Sequence, residues 1–140
     1  MTLAEIKNHD RASQVIDFSG LCYKNITPTD IDGAMEYRNR AFALFEMKLE
    51  GAPLPQGQTL FLTRLTDALC RAGKEAALFI CRHSVKDPKQ DVVAEKTWVE
   101  KIYYRGKWAV YPKGLTLGDC IKRWLKFACP EVLEEKTWKK

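Results

Sequence analysis

The sequence predicts one α/β domain spanning residues 1–140, in which a mixed central β-sheet is flanked by helices. Three observations lead to this prediction. The chain has 140 residues, of which 46% are hydrophobic. This length and composition are enough for one hydrophobic core, but the chain is too short for two domains. Apolar runs of strand length alternate with patterns of helical spacing. The longest apolar run, residues 76–81, is far shorter than the roughly 20 residues of a membrane-spanning helix, so no membrane partner is expected.

The start of the chain has little regular patterning before the first strand. Residues 1–14 are mostly polar, which predicts a loose arm or a short helix. Residues 15–25 are typical of extended chain interrupted at Ser19 and Gly20. Pro28 then favours a turn or an extended segment, because the residue before a proline avoids the helical region.

A hairpin and a helix are predicted next. Strands at 31–37 and 41–49 are joined by a short turn centred on Asn39, a residue type that tolerates positive φ. The following loop, residues 51–57, contains four Gly or Pro residues, which end the second strand. Residues 58–72 then carry apolar side chains at helical spacing and stop at a glycine, so they are expected to form a helix.

The second half of the chain predicts further strands and a last helix before a polar tail at 131–140. Strands are predicted where apolar residues are continuous or alternate, at 75–83, 92–104 and 108–111. The polar stretch near Glu95 leaves a helical or irregular segment open inside the second of these. Thr116 opens the last helix, with Asp119 in a capping position.

Charge and cysteine content narrow the class of protein. The chain has 23 Lys and Arg against 18 Asp and Glu, a net charge of +5, which permits a polyanionic partner without requiring one. Five cysteines are scattered along the chain with no C-x-x-C pair. This pattern disfavours a zinc knuckle or a disulfide framework and indicates a reducing, cytoplasmic compartment. The N-terminus does not have the pattern of a secretory signal.

The most informative pattern is a pair of aspartates before the hairpin turn and Glu46-x-Lys48 after it. A hairpin centred on Asn39 places Asp32 opposite Glu46, with Cβ atoms about 4.5–5.5 Å apart. The same register places Asp30 opposite Lys48. Strand side chains alternate, so Glu46 and Lys48 share a face. Two adjacent carboxylates repel unless one is protonated or a cation lies between them, so the pair can share a hard divalent metal.

This arrangement on residues 18–83 resembles the PD-(D/E)xK nuclease superfamily. It is similar to the small virus-type replication–repair and Holliday-junction-resolvase-like nucleases, including phage-encoded ones. The resemblance implies a restriction-endonuclease-like fold in which Asp32 and Glu46 bind Mg²⁺ or Mn²⁺ and Lys48 is the catalytic lysine. It also implies an accessory catalytic role for Gln58, with Gln56 as the second choice, near the start of the helix after the hairpin.

Further residues remain as second candidates for this site. Asp30 lies on the same side as Asp32 in the predicted strand, so it competes for the role of metal ligand, although it can also cap the turn or bond Lys48. Basic residues in the two predicted hairpin turns are candidates to contact nucleic acid: Arg38, Arg40, Arg105 and Lys107.

Together these observations predict a Mg²⁺-dependent nuclease that hydrolyses phosphodiester bonds in DNA, in the cytoplasm of a bacterium or of an infected host cell. The alternative is a catalytically inactive nuclease-like fold that binds nucleic acid or protein, such as a phage inhibitor of host machinery. A homodimer is left open for either function. The two predictions differ in whether activity depends on magnesium and on Glu46.

Overall fold

The structure is a computed structural model that describes residues 9–111 and 114–134. The chain divides into two compact units, one up to Thr29 and one that begins at Asp30 and carries the whole sheet. Two parts of the sequence predictions, residues 1–8 of the arm and residues 135–140 of the polar tail, lie outside the described residues.

The described part of the N-terminal unit contains little regular structure. Helix α1 spans His9–Ala12, and a single 3-10 turn spans Ser19–Leu21. This turn lies where the sequence predicted an interruption of extended chain. A short bridge between Tyr23 and Ile26 then closes a tight turn.

Five strands form one mixed sheet, with spatial order equal to sequence order. The strands are β1 (Gly33–Tyr37), β2 (Ala41–Leu49), β3 (Glu75–His83), β4 (Trp98–Tyr104) and β5 (Lys107–Val110). Strands β2 and β3 are parallel, and every other neighbouring pair is antiparallel. The predicted mixed sheet is therefore confirmed.

The β1–β2 turn is of the type that matches the twist of a hairpin. Arg38 and Asn39 have φ of +45° and +59°, and the Arg40 N–H donates a hydrogen bond to the Tyr37 carbonyl. Positive φ at both central residues defines a type I′ turn. The turn lies at the predicted position.

The register of the hairpin is also the predicted one. Gly33 lies opposite Phe45, and a Cβ at Gly33 would come within 3.0 Å of the Phe45 ring. A glycine at this position lets the ring pack across the strand. Strand β1 begins here rather than at Ile31, so Asp32 lies just outside the ladder.

Two helices cover opposite faces of the sheet. Helix α2 (Gln56–Arg71) packs through Leu62 against Leu44 and Leu78. Helix α3 (Leu117–Ala128) packs against the other face, in a cluster that includes Phe45 and Phe79. Because side chains alternate along β2 and β3, these strands contribute to two separate cores, one on each face of the sheet. The predicted flanking helices are confirmed. Within the described ranges, no helix is long and apolar enough to cross a membrane.

The segment before β4 differs from the continuous strand predicted for 92–104. A 3-10 turn spans Ala94–Lys96, and the strand begins only at Trp98. The Thr97 hydroxyl donates to the Ala94 carbonyl at 2.7 Å, which holds the turn with a local side-chain bond. The irregular alternative near Glu95 is therefore the one that forms.

The N-terminus of α3 is closed by Thr116. Its hydroxyl accepts a hydrogen bond from the Asp119 N–H at 3.1 Å, which satisfies one of the free amide groups at the helix start. We expect Thr116→Ala to lower the free energy of unfolding by about 1 kcal/mol. Urea denaturation followed by circular dichroism measures this loss.

Thr63→Ala is the matched control for this measurement. The Thr63 hydroxyl donates to the Leu60 carbonyl inside α2, where alanine has the better helix propensity. Its loss of stability is expected to stay below about 0.5 kcal/mol. Equal losses in the two variants would contradict the capping role of Thr116.

Candidate active site

The candidate site lies near the carboxyl end of β2, on the face of the sheet that α2 covers. Leu44, Glu46 and Lys48 occupy every second position of β2 and therefore share this face. The apolar side chains on this face end at Leu44, and charged side chains begin at Glu46. The Glu46 side chain is only 2% exposed, whereas that of Lys48 is 27% exposed. A carboxylate is thus buried at the border between core and solvent.

Asp32 is held beside this position by the backbone of β2. Its Oδ2 accepts a hydrogen bond from the Met47 N–H at 2.7 Å. The backbone pairing of β1 with β2 begins at Gly33. The Asp32 side chain adds one further contact to β2, just before that pairing. Asp32 is exposed, so it forms the solvent side of the site, with Glu46 beneath.

Glu46 has no hydrogen-bond donor among the described residues for either carboxylate oxygen. The Lys48 Nζ lies 3.4 Å from Oε1, within ion-pair range but without hydrogen-bond geometry. Burial, and next the adjacent Asp32 carboxylate, raise the pKa of Glu46 to about 7, and Lys48 opposes this rise. Near neutral pH this carboxyl group is therefore as easily protonated as charged, and a cation would compete with its proton.

Gln58 contacts Asp30, the aspartate that competes with Asp32 for the role of metal ligand in the sequence prediction. The Gln58 Nε2 lies 3.0 Å from Asp30 Oδ1 and 3.3 Å from the Asp30 carbonyl. The first turn of α2 therefore fixes the segment that leads into Asp32. The expected cross-strand pairing of Asp30 with Lys48 is wrong, because the ladder begins only at Gly33.

Arg82 is a residue of this region that the sequence analysis did not single out. It lies next to Lys48 in the parallel β2–β3 pairing and is nearly buried. Its Nη1 donates to the carbonyls of Leu49 and Ala52, at 3.2 and 2.6 Å, and its Nε donates to Glu100 at 2.8 Å. Arg82 thereby fixes the end of β2 that carries Lys48. The sequence signal that could have identified Arg82 is the position of an arginine directly after the apolar run 76–81 of one strand.

The four predicted nucleic-acid contacts lie at the other end of the sheet. Arg38 and Arg40 are in the β1–β2 turn, and Arg105 and Lys107 are at the β4–β5 turn. Arg40 forms an ion pair with Glu131, and Arg105 forms one with Glu75 at 2.9 Å. The structure does not bring these residues to Asp32 and Glu46.

Two carboxylates, those of Asp32 and Glu46, are the oxygen donors that this region offers to a hard divalent cation. In the described ranges no group of three or more His, Cys, Asp or Glu side chains converges. Mg²⁺ is commonly bound by one or two carboxylates with water and substrate phosphate completing its shell. The buried Glu46 oxygens without a donor are the ligands that such a shell would use.

Cys81 does not contribute a soft ligand to this region. Burial raises the pKa of its thiol to about 12, so the thiol stays protonated at neutral pH. Cys81 belongs to the core cluster beneath α3, on the other face of the sheet. The carboxylate oxygens of Asp32 and Glu46 therefore define the chemistry that the site offers.

Comparison of the chain with protein-family profiles, with curated proteins and with solved structures found no match. The resemblance to the PD-(D/E)xK superfamily rests on the residues of the hairpin and of α2.

The raised pKa of Glu46 makes stability depend on pH. The folded-state pKa is about 7 against an ordinary 4.5, so between these values the folded chain holds a proton that the unfolded chain has released. In EDTA, the free energy of unfolding is expected to fall as pH rises through this window, by on the order of 3 kcal/mol. Urea denaturation at several pH values measures the slope, and Glu46→Gln is expected to remove it.

A divalent cation is expected to replace the missing proton. At pH above the window, Mn²⁺ should raise the Tm of the wild type and leave that of Glu46→Gln unchanged. Glu95→Gln, which alters an exposed carboxylate outside the site, is the control and should keep the wild-type slope and Mn²⁺ response. A wild-type pH slope in Glu46→Gln would exclude Glu46 as its source.

Proposed function

We propose that the protein is a metal-dependent nuclease that hydrolyses phosphodiester bonds in DNA. The observation that supports this most is the buried carboxylate of Glu46, which has no hydrogen-bond donor among the described residues and has Asp32 and Lys48 beside it. A fold rarely retains such a group unless it has a ligand or a chemical role. Its position in a Glu-x-Lys strand agrees with the superfamily resemblance.

Each residue of the site has a distinct role in this proposal. Asp32 and Glu46 would hold the Mg²⁺ or Mn²⁺, which when bound supplies positive charge to the scissile phosphate and acidifies water. Lys48, partly exposed, would neutralise the phosphate or orient the attacking water. Gln58 acts as a positioning residue, since it contacts Asp30 and not the carboxylate pair.

The distribution of charge and exposure agrees with a polyanionic substrate. Asp32 is exposed while Glu46 is buried, so a phosphate would approach from the solvent side of Asp32. Lys48 provides a cation on this side, and the chain as a whole carries a net charge of +5. The five cysteines are free, which agrees with a cytoplasmic protein.

A binding module without catalysis is the second candidate. It is favoured by the small number of converging ligands, since no group of three or more forms in the described ranges. It is also favoured by the Met47 N–H, which already occupies one oxygen of Asp32. In this alternative the raised pKa of Glu46 is only a consequence of burial and has no role in a reaction.

Cleavage assays distinguish the two candidates. With Mg²⁺, the wild type is expected to cut DNA, and Glu46→Gln and Asp32→Asn should each lose at least about 1000-fold in rate, because each removes several kcal/mol of transition-state stabilisation. Lys48→Met should lose about 100-fold. Labelled branched, duplex and single-stranded DNA, with RNA of the same sequence, are the substrates for a gel-based assay.

Glu36→Gln is the matched control for these variants, because it alters an exposed carboxylate of the same hairpin near the turn. It should retain the wild-type rate. Equal rates in wild type and Glu46→Gln would overturn the proposal. DNA or protein binding that is indifferent to Mg²⁺ and to Glu46→Gln, with no cleavage, would establish the binding module instead.

A further inference from the structure

A cavity lies on the face of the sheet opposite to Glu46. It has a volume of about 460 Å³ and lies between α3 and strands β3, β4 and β5. Its floor includes the small side chains of Ala77 and Ala109, so the space beside α3 is left unfilled. Cavities of roughly 300–1,000 Å³ are the size of small-molecule sites.

The walls of this cavity are largely aromatic. The Trp124 ring meets Tyr104 and Phe79 edge to face, with centroids 5.7 and 6.4 Å apart. Phe127, which is 61% exposed, contacts both Trp124 and Tyr104. These contacts fix the rings in place, and Tyr111 adds a further ring to the lining. Such walls accept a flat apolar group against the rings.

The charge on the lining is of one sign. Lys107 and Arg123 line the cavity, and among the described residues no acidic side chain does. Within residues 9–111 and 114–134, neither of these cations forms an ion pair. Glu75 bonds the Tyr104 hydroxyl, but its charge is already paired with Arg105 at 2.9 Å. An anion at this rim would therefore meet two cations that form no ion pair in the described part of the protein.

We propose that this cavity binds a small ligand with a planar aromatic body and an anionic group. The body would lie against Trp124 and Tyr104, and the anion would contact Lys107 and Arg123. Both a mononucleotide and a free aromatic acid have this chemistry. The proposal is independent of nuclease activity, because the cavity and Glu46 lie on opposite faces of the sheet.

A pair of dyes that differ in charge tests the proposal directly. Anilinonaphthalene sulfonate is anionic, and phenylnaphthylamine is its neutral counterpart. The wild type is expected to bind the anionic dye about tenfold more tightly in fluorescence titrations. Lys107→Gln combined with Arg123→Gln should remove this preference while binding of the neutral dye persists. Equal affinities for both dyes in the wild type would overturn the proposal.

Filling the cavity with a large side chain tests whether the dyes bind there. Ala109→Trp places a large ring into the space and should abolish binding of both dyes. Val110→Trp, on the opposite face of the same strand, is the matched control and should bind them as the wild type does. Unchanged near-UV circular dichroism shows that both variants keep native packing, which excludes dye binding to a loosened core. Unchanged dye binding in a native Ala109→Trp variant would overturn the proposal.

Competition then separates the two sources of the ligand. Displacement of the anionic dye by millimolar AMP, but not by adenosine, identifies a nucleotide phosphate as the anion. Displacement by naphthoate and not by AMP identifies an aromatic acid. Either result supports the proposed chemistry, and displacement by neither would contradict it. The nuclease assay with Glu46→Gln is unaffected by these outcomes, so the two proposals can fail separately.

Discussion

The parallel pairing of β2 with β3 determines where the rest of the structure can lie. Parallel neighbours cannot be joined by a tight turn, because the chain must return to the end of the sheet at which the first strand began. Helix α2 makes this return, so its first turn begins beside the carboxyl end of β2. That is why Gln58 meets Asp30 and why the site has a helix on one side and the hairpin on the other.

Glu46 opposes the stability of this arrangement. The residues before it on the same face are apolar, and a leucine at position 46 would extend the core that α2 covers. A buried carboxyl group without a donor costs free energy whenever it is charged, and a natural sequence tolerates such a group where function compensates for it. The electrostatic features of the site therefore come from a departure from an otherwise regular pattern of burial.

The proximity of Asp32 to Glu46 could be predicted from the sequence because its determinants are local. Asn39 marks the turn, and the turn sets the register of the strands. Just beyond the ladder, the Met47 N–H then holds Asp32 beside Glu46. The bond between Gln58 and Asp30 depends on how α2 crosses the sheet, which no local pattern encodes. The contacts of Arg82 depend on the pairing of β3 with β4 in the same way. The predicted strands already implied that Arg38, in the turn, lies at the opposite end of the hairpin from Glu46. The position of Arg105 depends on how β4 pairs with β3.

The three hydrogen bonds of Arg82 have a consequence for the local stability of the backbone at Lys48. They join the end of β2, the loop that follows it and β4 through a single nearly buried guanidinium. Local opening at Lys48 would break several charge-assisted bonds together, so the backbone there is expected to exchange its amide protons slowly. A ligand that reaches Lys48 meets a support that is already ordered, and little of its binding free energy is lost to ordering that backbone.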